Sequence, residues 1–140
     1  MRIELTRFRV REGAHDLVDE WLQFLNDNAA VVRETLEPEQ MYVETIFSEF
    51  VGGVGYLYWY SIQGAAGLGL EQSDHWLDEK HQNYWRACID DDFPPEDLSP
   101  RVTMMPERVE AAMKPLGAWV SSALMPTSVS GERDTGIGAR

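Results

Sequence analysis

The chain has 140 residues, of which 44% are hydrophobic and 11% aromatic, a balance that predicts one globular domain and excludes a disordered chain. A net charge of −12 argues against nucleic acid and anionic membranes as partners, because their phosphates would be repelled. No apolar run reaches the length of a membrane span, no signal peptide is recognisable, and Cys88 is the single cysteine. These features predict a cytoplasmic protein without an internal disulfide.

The amino-terminal half is predicted to form three strands and one long helix. Residues Ile3 to Val10 alternate in polarity, as the residues of a strand do. A helix is expected from about Ala14 to Leu36, where apolar residues recur at spacings of three and four, and Pro38 prevents its continuation. The aromatic and β-branched runs Met41 to Val51 and Gly55 to Ile62 flank two glycines and therefore predict a β-hairpin.

The carboxy-terminal half is predicted to contain a helix, a strand and a shorter helix. The first helix runs from Ser73, its expected N-cap, to about Ile89. After an acidic, proline-broken loop, Val102 to Met105 is a short apolar strand, and Pro106 begins a helix that reaches about Met113. The apolar stretch Leu116 to Met125 and a polar, flexible tail complete the chain.

This order of elements predicts an α+β fold of the ferredoxin-like βαββαβ type, with an antiparallel sheet and both main helices on one face. The domain spans residues 1–114 and ends with the extra helical segment that follows Pro106, and residues 115–140 form a carboxy-terminal extension with a flexible tail. The hairpin strands carry apolar or aromatic side chains on both faces, so both faces of the sheet must be covered. The helices cover one face. A second copy of the chain is the expected cover for the other, in a two-fold homodimer.

Three segments give the chain a resemblance to the dimeric α/β-barrel superfamily, which contains the antibiotic-biosynthesis monooxygenases. They are Met41 to Phe47, Tyr56 to Gln63 and His81 to Asp90. Within that superfamily the chain resembles a small bacterial family of unassigned function, over residues 1 to 114. The resemblance implies a pocket in each subunit between the sheet and its helices. Relatives use such pockets for cofactor-free oxygenation, polyketide cyclisation, lactone isomerisation or haem degradation, so the fold does not choose the reaction.

His81 is the first candidate for a catalytic residue. It follows Asp78 by three residues on the predicted helix, so that carboxylate is placed to orient the imidazole and fix its tautomer. With Tyr84 and Trp85 beside it, His81 is expected to act as a general base in an aromatic pocket. The alternatives are a helix-surface ion pair and a core histidine with a satisfied hydrogen bond.

Glu44 is the second candidate, because a carboxylate inside a covered sheet either pairs with a base or has a raised pKa. Arg7 and Arg9 on the first strand are its expected partners in a structural salt bridge, which is the alternative to an acid–base role. Tyr60 is a further candidate for protonating or positioning a substrate. Aromatic side chains suited to stacking on a planar ligand are Tyr58, Trp85, Trp21 and Tyr84.

Other patterns are weaker indications of chemistry. His75 and His81 are six residues apart, whereas helical metal pairs stand four apart, so no metal ligand is assigned. The glycines between Gly64 and Gly69 have the wrong order for a dinucleotide loop and are interpreted as a mobile lid. Cys88 is expected to be a small buried hydrophobic residue.

The sequence therefore predicts a small homodimeric enzyme of secondary metabolism that acts on a hydrophobic, aromatic or polyketide-like molecule without a cofactor. Cyclisation, isomerisation and cofactor-free oxygenation all begin with a proton transfer that His81 and Glu44 can perform. One alternative is a non-catalytic dimer that binds a small molecule or a protein partner. The other is a metal-dependent enzyme that uses His75 and His81.

Overall fold

The computed structural model describes residues 1–64 and 75–114 of the chain. The helices and strands of these residues, in chain order, are β1 (Arg2–Arg9), α1 (His15–Asp27), α2 (Ala29–Leu36), β2 (Met41–Val51), β3 (Val54–Gln63), α3 (Trp76–Cys88), β4 (Glu96–Asp97) and α4 (107–114). None of these helices is long and apolar enough to cross a membrane.

The four strands described form one antiparallel sheet in the order β2-β3-β1-β4. Strand β3 lies between β1 and β2, which are joined through α1 and α2, so the amino-terminal half is a split βαβ unit. The predicted α+β class is confirmed, and the strand order is compatible with a ferredoxin-like fold. The expected dimer concerns the association of two chains, which the fold of one chain does not show.

The β2–β3 hairpin closes through Gly52 and Gly53, which connect the paired residues Val51 and Val54. Both glycines have positive φ angles, 58° and 80°. A two-residue turn with positive φ at both positions matches the right-handed twist of the flanking strands, and glycine adopts it without steric cost.

The long helix predicted from Ala14 to Leu36 is interrupted at Asn28, so that prediction was wrong in this respect. Asn28 lies between α1 and α2 with φ −106° and ψ 21°. Its side-chain Nδ2 donates a hydrogen bond to the carbonyl oxygen of Phe24 at 2.8 Å. Asparagine side chains compete with the helical backbone for such carbonyls, which explains the break in an otherwise continuous apolar pattern.

The fourth strand lies earlier in the chain than predicted. Residues Val102 to Met105 are not a strand, and Val102 and Met104 are 74% and 89% exposed. The strand is instead the acidic dipeptide Glu96–Asp97, which pairs with Arg7 and Thr6 of β1. Thr6 Oγ1 donates to Asp97 Oδ1 at 2.7 Å, and the Arg7 guanidinium donates to Glu96 Oε2 at 2.5 Å. Polar pairs and backbone bonds hold this edge strand, so a search for apolar runs misses it.

Helix α3 begins later than predicted, with His75 as its N-cap. His75 Nδ1 accepts a hydrogen bond from the backbone N–H of Leu77 at 3.2 Å, which caps the first turn. The expected cap Ser73 and the glycine lid beyond Gly64 lie outside the described residues, as does the carboxy-terminal extension from residue 115. The helix predicted to follow Pro106 is confirmed at 107–114.

The hydrophobic core lies between the sheet and helices α1 and α3. Its fully buried members include Trp21 of α1, Leu57 of β3 and Cys88 of α3, each 0% exposed. Cys88 is thus a buried apolar residue, as expected, and burial raises the pKa of its thiol. We call the side of the sheet that faces this core the inner face and the opposite side the outer face.

The outer face carries every second residue of each long strand, including Leu5, Phe47, Tyr58 and Tyr60. These side chains are only partly buried, and Phe47 is 55% exposed. The inner face is therefore the packed side of the molecule, whereas the outer face is partly exposed and carries apolar residues together with Arg7, Arg9 and Glu49.

Candidate functional site

A cavity of about 460 Å³ lies between the inner face of the sheet and α3, a size typical of small-molecule sites. Three aromatic side chains, Phe8, Trp59 and Trp85, form its apolar walls. Phe8 packs edge-on against Trp85 with ring centroids 4.6 Å apart, and Trp59 lies 5.5 Å from Trp85. The remaining lining residues are Glu4, Thr6, Met41, Glu44, Ser61, Gln63, His81, Gln82 and Arg86.

Glu44 on β2 is held in the cavity wall by its neighbour on β3. The indole Nε1 of Trp59 donates a hydrogen bond of 2.6 Å to Glu44 Oε1. Burial raises the pKa of Glu44; the hydrogen bond from Trp59 opposes this effect, and the negative charge of Asp78 adds to it. Glu44 is therefore a carboxyl group whose proton is held more tightly than usual, inside an aromatic cavity.

His81 on α3 lines the same cavity and is held by the core behind it. The indole Nε1 of Trp21 donates a hydrogen bond of 3.3 Å to His81 Nδ1. Burial lowers the pKa of His81 to about 4, although the charge of Asp78 acts in the opposite direction. The imidazole is thus neutral at neutral pH, and because Nδ1 accepts, Nε2 carries the hydrogen.

Two further carboxyl groups lie near this pair. Asp78 is 2% exposed and acts electrostatically on both His81 and Glu44. Glu39 is half-buried, and burial together with Asp78 and Glu44 raises its pKa to about 7. Among the described residues its Oε1 is a buried atom without a hydrogen-bond partner. We call the part of the cavity formed by Glu44 and His81 its inner end; the nearby carboxyl groups of Asp78 and Glu39, although outside the lining, disfavour additional negative charge there.

A polar strip crosses the sheet at the floor of the cavity. Gln63 Nε2 donates to Glu4 Oε2 at 2.5 Å and to Ser61 Oγ at 3.2 Å. Arg2 completes the strip, with its Nε 2.8 Å from Glu4 Oε1 and its guanidinium donating to Gln63 Oε1. These bonds fix side-chain orientations on the floor before any ligand enters.

The exposed residue Arg86 lies where the cavity meets solvent. Its guanidinium donates to Asn83 Oδ1 at 2.9 Å and to Gln82 Oε1 at 3.0 Å. All three residues belong to α3, so the helix holds a positive charge at the cavity mouth through neutral amide partners.

The sequence of the chain matches the model of a protein family. The model of a family of unknown function, DUF6176, matches residues 1–111. The chain belongs to this family. No curated protein and no solved structure gives a significant match.

In this DUF6176 member, three of the residues predicted for the site share the cavity, namely His81, Glu44 and Trp85. Asp78 is buried beside His81 rather than in the lining. Asp78 acts on the imidazole through its charge, and the hydrogen bond to Nδ1 comes from Trp21. Trp21 was expected to bind substrate, but it lies behind His81 with 0% exposure and supports the wall.

Tyr58 and Tyr60 lie on the other side of the sheet from the cavity. Leu57, Trp59 and Ser61 face inward, so the alternate residues of β3 face outward. Tyr58 donates a 2.6 Å hydrogen bond to Glu49 there. The predicted contact of Tyr58 and Tyr60 with a ligand in the pocket was therefore wrong.

Tyr84 also lies away from the cavity lining. Its phenol donates a 2.7 Å hydrogen bond to Glu20 Oε1 of α1, and its ring stacks on Trp21 with centroids 6.3 Å apart. It ties α1 to α3 instead of contacting a ligand. The expected partners of Glu44 are also engaged elsewhere, because Arg7 pairs with Glu96 and Arg9 lies 3.9 Å from Asp90.

The metal alternative finds no support in the arrangement of the described residues. His75 caps α3, whereas His81 faces the cavity. Within residues 1–64 and 75–114, no three His, Cys, Asp or Glu side chains form a group suited to a metal ion.

The predicted site omitted the residues that complete the cavity. The alternation of Trp59, Ser61 and Gln63 along β3 was available in the sequence, but it did not show which set faces the helices. Strict alternation along β2 would place Met41 on the face opposite Glu44. A register shift between Met41 and Val43 places Met41 in the cavity, and such bulges leave little trace in hydrophobic patterns.

Proposed function

We propose that the cavity is the active site of a small enzyme that moves protons on a hydrophobic, enolisable molecule without an organic cofactor. The observation that carries this proposal is the pairing of two titratable groups on the walls of one aromatic cavity. Glu44 has a raised pKa, and His81 is a neutral imidazole with its hydrogen on Nε2. Such environments define acid–base roles in enzymes.

In this mechanism Glu44, as the carboxylate, removes a proton from a carbon beside a carbonyl group. The electron pair of the broken C–H bond moves to the carbonyl oxygen, which receives a hydrogen bond from His81 Nε2–H. Glu44, now protonated, returns its proton to a different carbon or to the same one. Return to a different carbon is isomerisation. In cyclisation the enolate carbon instead attacks a second carbonyl carbon of the same molecule, the π electron pair of that carbonyl moves to its oxygen, and this oxygen takes the proton from Glu44.

This assignment exchanges the roles expected from the sequence. A histidine with a pKa of about 4 is a weak base, so His81 serves better as a hydrogen-bond donor. A buried carboxyl with a raised pKa is the stronger base of the two near neutral pH, and Glu44 is in that situation.

The test is proton exchange in D₂O, followed by NMR, with a panel of enolisable bicyclic ketones that begins with 2-tetralone. We expect the protein to accelerate exchange at the carbon beside the carbonyl. Glu44→Gln should lower the catalysed rate by roughly 100-fold or more, the usual range for loss of a general base. Glu49→Gln is the matched control, because Glu49 belongs to the same strand but bonds Tyr58 on the outer face.

Exchange at the wild-type rate in folded Glu44→Gln would contradict the assignment, and so would an absence of catalysed exchange across the panel. Binding of the ketones without exchange would favour the alternative, a protein that binds a small molecule without transforming it.

We further infer that two copies of the chain associate through the outer face of the sheet. Leu5, Tyr60 and Phe47 give this face an apolar patch beside its charged residues, and they stay partly exposed while both main helices pack on the inner face. Exposed apolar patches of this kind mark association surfaces, and a two-fold axis allows one patch to cover another copy of itself.

A further inference from the structure

We propose that Arg86 anchors a carboxylate of the ligand at the cavity mouth, so that the ligand is a small aromatic or apolar carboxylic acid. This inference deepens the proposed function and rests on the same cavity. It adds the charge of the ligand and the direction in which the ligand lies.

The state of Arg86 is the first observation behind this proposal. In an acidic chain, the arginines of β1 and of the residues that follow it face carboxylates: the pairs are Arg2–Glu4, Arg7–Glu96, Arg9–Asp90 and Arg11–Asp91. Arg86 differs, because its partners among the described residues are the neutral amide oxygens of Gln82 and Asn83. Its positive charge is therefore held in place, and within residues 1–64 and 75–114 no carboxylate forms an ion pair with it.

The geometry of a guanidinium favours a carboxylate as the missing counter-charge. The group has five N–H donors, of which Asn83 and Gln82 take two. The donors left over suit a carboxylate, which accepts parallel hydrogen bonds from such a planar fork. The two amide contacts fix the side chain beforehand, so less conformational entropy is lost when the ligand binds.

The inner end of the cavity sets the direction of the ligand. A carboxylate placed there would lie beside Glu44, whose own ionisation is already disfavoured by burial and by Asp78. The aromatic walls of Phe8, Trp59 and Trp85 accept the apolar body of the ligand. The carboxylate therefore points outward to Arg86, and the opposite end of the ligand meets Glu44 and His81.

The experiment compares two probes of the same shape, 3-phenylpropanoate and its neutral amide 3-phenylpropanamide, by isothermal titration calorimetry at low salt. Wild-type protein should bind the acid at least 5-fold more tightly than the amide. Arg86→Gln should abolish this preference, because it weakens binding of the acid much more than binding of the amide. Arg86→Lys, which keeps the charge but not the fork, should retain part of the preference.

Arg33→Gln is the control, because Arg33 is an exposed arginine of α2 that does not line the cavity. This variant should bind both probes as the wild type does. In the wild type, raising the salt concentration should weaken binding of the acid more than binding of the amide, because Arg86 is exposed to solvent and its charge is screened.

Equal affinity for the two probes, a preference that persists in Arg86→Gln, or no binding of either probe would overturn the proposal. Glu44→Gln separates this inference from the proposed reaction. That variant should lose catalysed exchange and keep the preference for the acid. If the protein prefers the acid but never catalyses proton exchange, the role of Arg86 is supported and the proposed enzyme activity is rejected. If it catalyses exchange without preferring the acid, the enzyme activity is supported and the role of Arg86 is rejected.

Discussion

The chemistry of His81 depends on a residue far away in the chain. The sequence pointed to Asp78, one turn earlier on the same helix, as the group that orients the imidazole. In the fold, the hydrogen bond to Nδ1 comes from Trp21, 60 residues away. Local spacing identifies neighbours on one helix, but contacts between helices require the packed structure. This bond occupies Nδ1 and places the hydrogen of the neutral imidazole on Nε2.

The low pKa of His81 predicts how stability changes in acid. Its folded value is about 4, below the value of about 6.5 for a free histidine. The unfolded chain therefore binds a proton first as pH falls, and the stabilisation present above pH 6.5 is lost on the way to pH 4. Relative to His81→Gln, the wild type should lose up to about 3 kcal/mol between pH 7 and pH 4. Urea unfolding at each pH measures this difference, and parallel profiles would contradict it.

Glu39 should show the opposite dependence on pH. Its folded pKa is about 7, above the ordinary value for glutamate. Ionisation of Glu39 therefore lowers the free energy of unfolding as pH rises toward 7. Glu39→Gln removes that cost. We expect the variant to be more stable by about 1 kcal/mol at pH 8, a value reduced for partial solvent exposure, and equal to the wild type at pH 4.

Glu37→Gln is the control for this measurement, because Glu37 lies two residues earlier and is exposed. It should change stability little at either pH. A gain at pH 8 in both variants would assign the effect to the net charge of the molecule instead of to Glu39.

At the scale of elements, the hairpin offers a direct test of turn geometry. Gly53 has a φ angle of 80°, which side chains with a Cβ avoid. Gly53→Ala should lower the free energy of unfolding by about 1–2 kcal/mol. Gly53→Asn should cost less, because asparagine tolerates positive φ. Thermal unfolding of the two variants checks the order, and equal losses would show that the turn angle is not the cause.

The elements that the sequence predicted correctly are those whose pattern is set by burial on one side. Strand β2 has the predicted bounds, and β3 differs by one residue at each end. The predictions were wrong where hydrogen bonds of polar groups determine the element. Asn28 interrupts the first helix by bonding Phe24, and Glu96–Asp97 forms an edge strand through hydrogen bonds to β1. Hydrophobic periodicity carries no information about either.

Hydrophobic periodicity was also insufficient to predict which residues line the cavity. Alternation along β3 separates Trp59 from Tyr58 and Tyr60, but it does not reveal which set meets the helices. The register of three strands and the packing of α3 decide that question. Glu44, His81 and Trp85 were predicted because each is unusual on its own element; Arg86 was missed because an exposed arginine on a helix is ordinary until its surroundings are known.

At the scale of the whole molecule, the inferred dimer predicts different effects for two equally exposed aromatic residues. Phe47 on the outer face is 55% exposed, and Trp76 at the start of α3 is 53% exposed. Phe47→Lys should convert the dimer into a monomer, because it places a charge in the interface. Trp76→Lys should leave the dimer intact. Light scattering at micromolar concentration distinguishes these outcomes, and a monomeric wild type would reject the dimer.

The rate at which Cys88 is alkylated reports whether the domain is folded. It is the single thiol of the chain, fully buried, and its raised pKa keeps it in the unreactive protonated form. An alkylating reagent can therefore modify it only when the surrounding core opens. Because α1, β3 and α3 all contribute to that core, the alkylation rate measures the opening of the whole domain. A variant that lacks the proposed proton exchange while its thiol stays protected lacks a catalytic group, whereas a variant whose thiol is alkylated quickly has lost its fold.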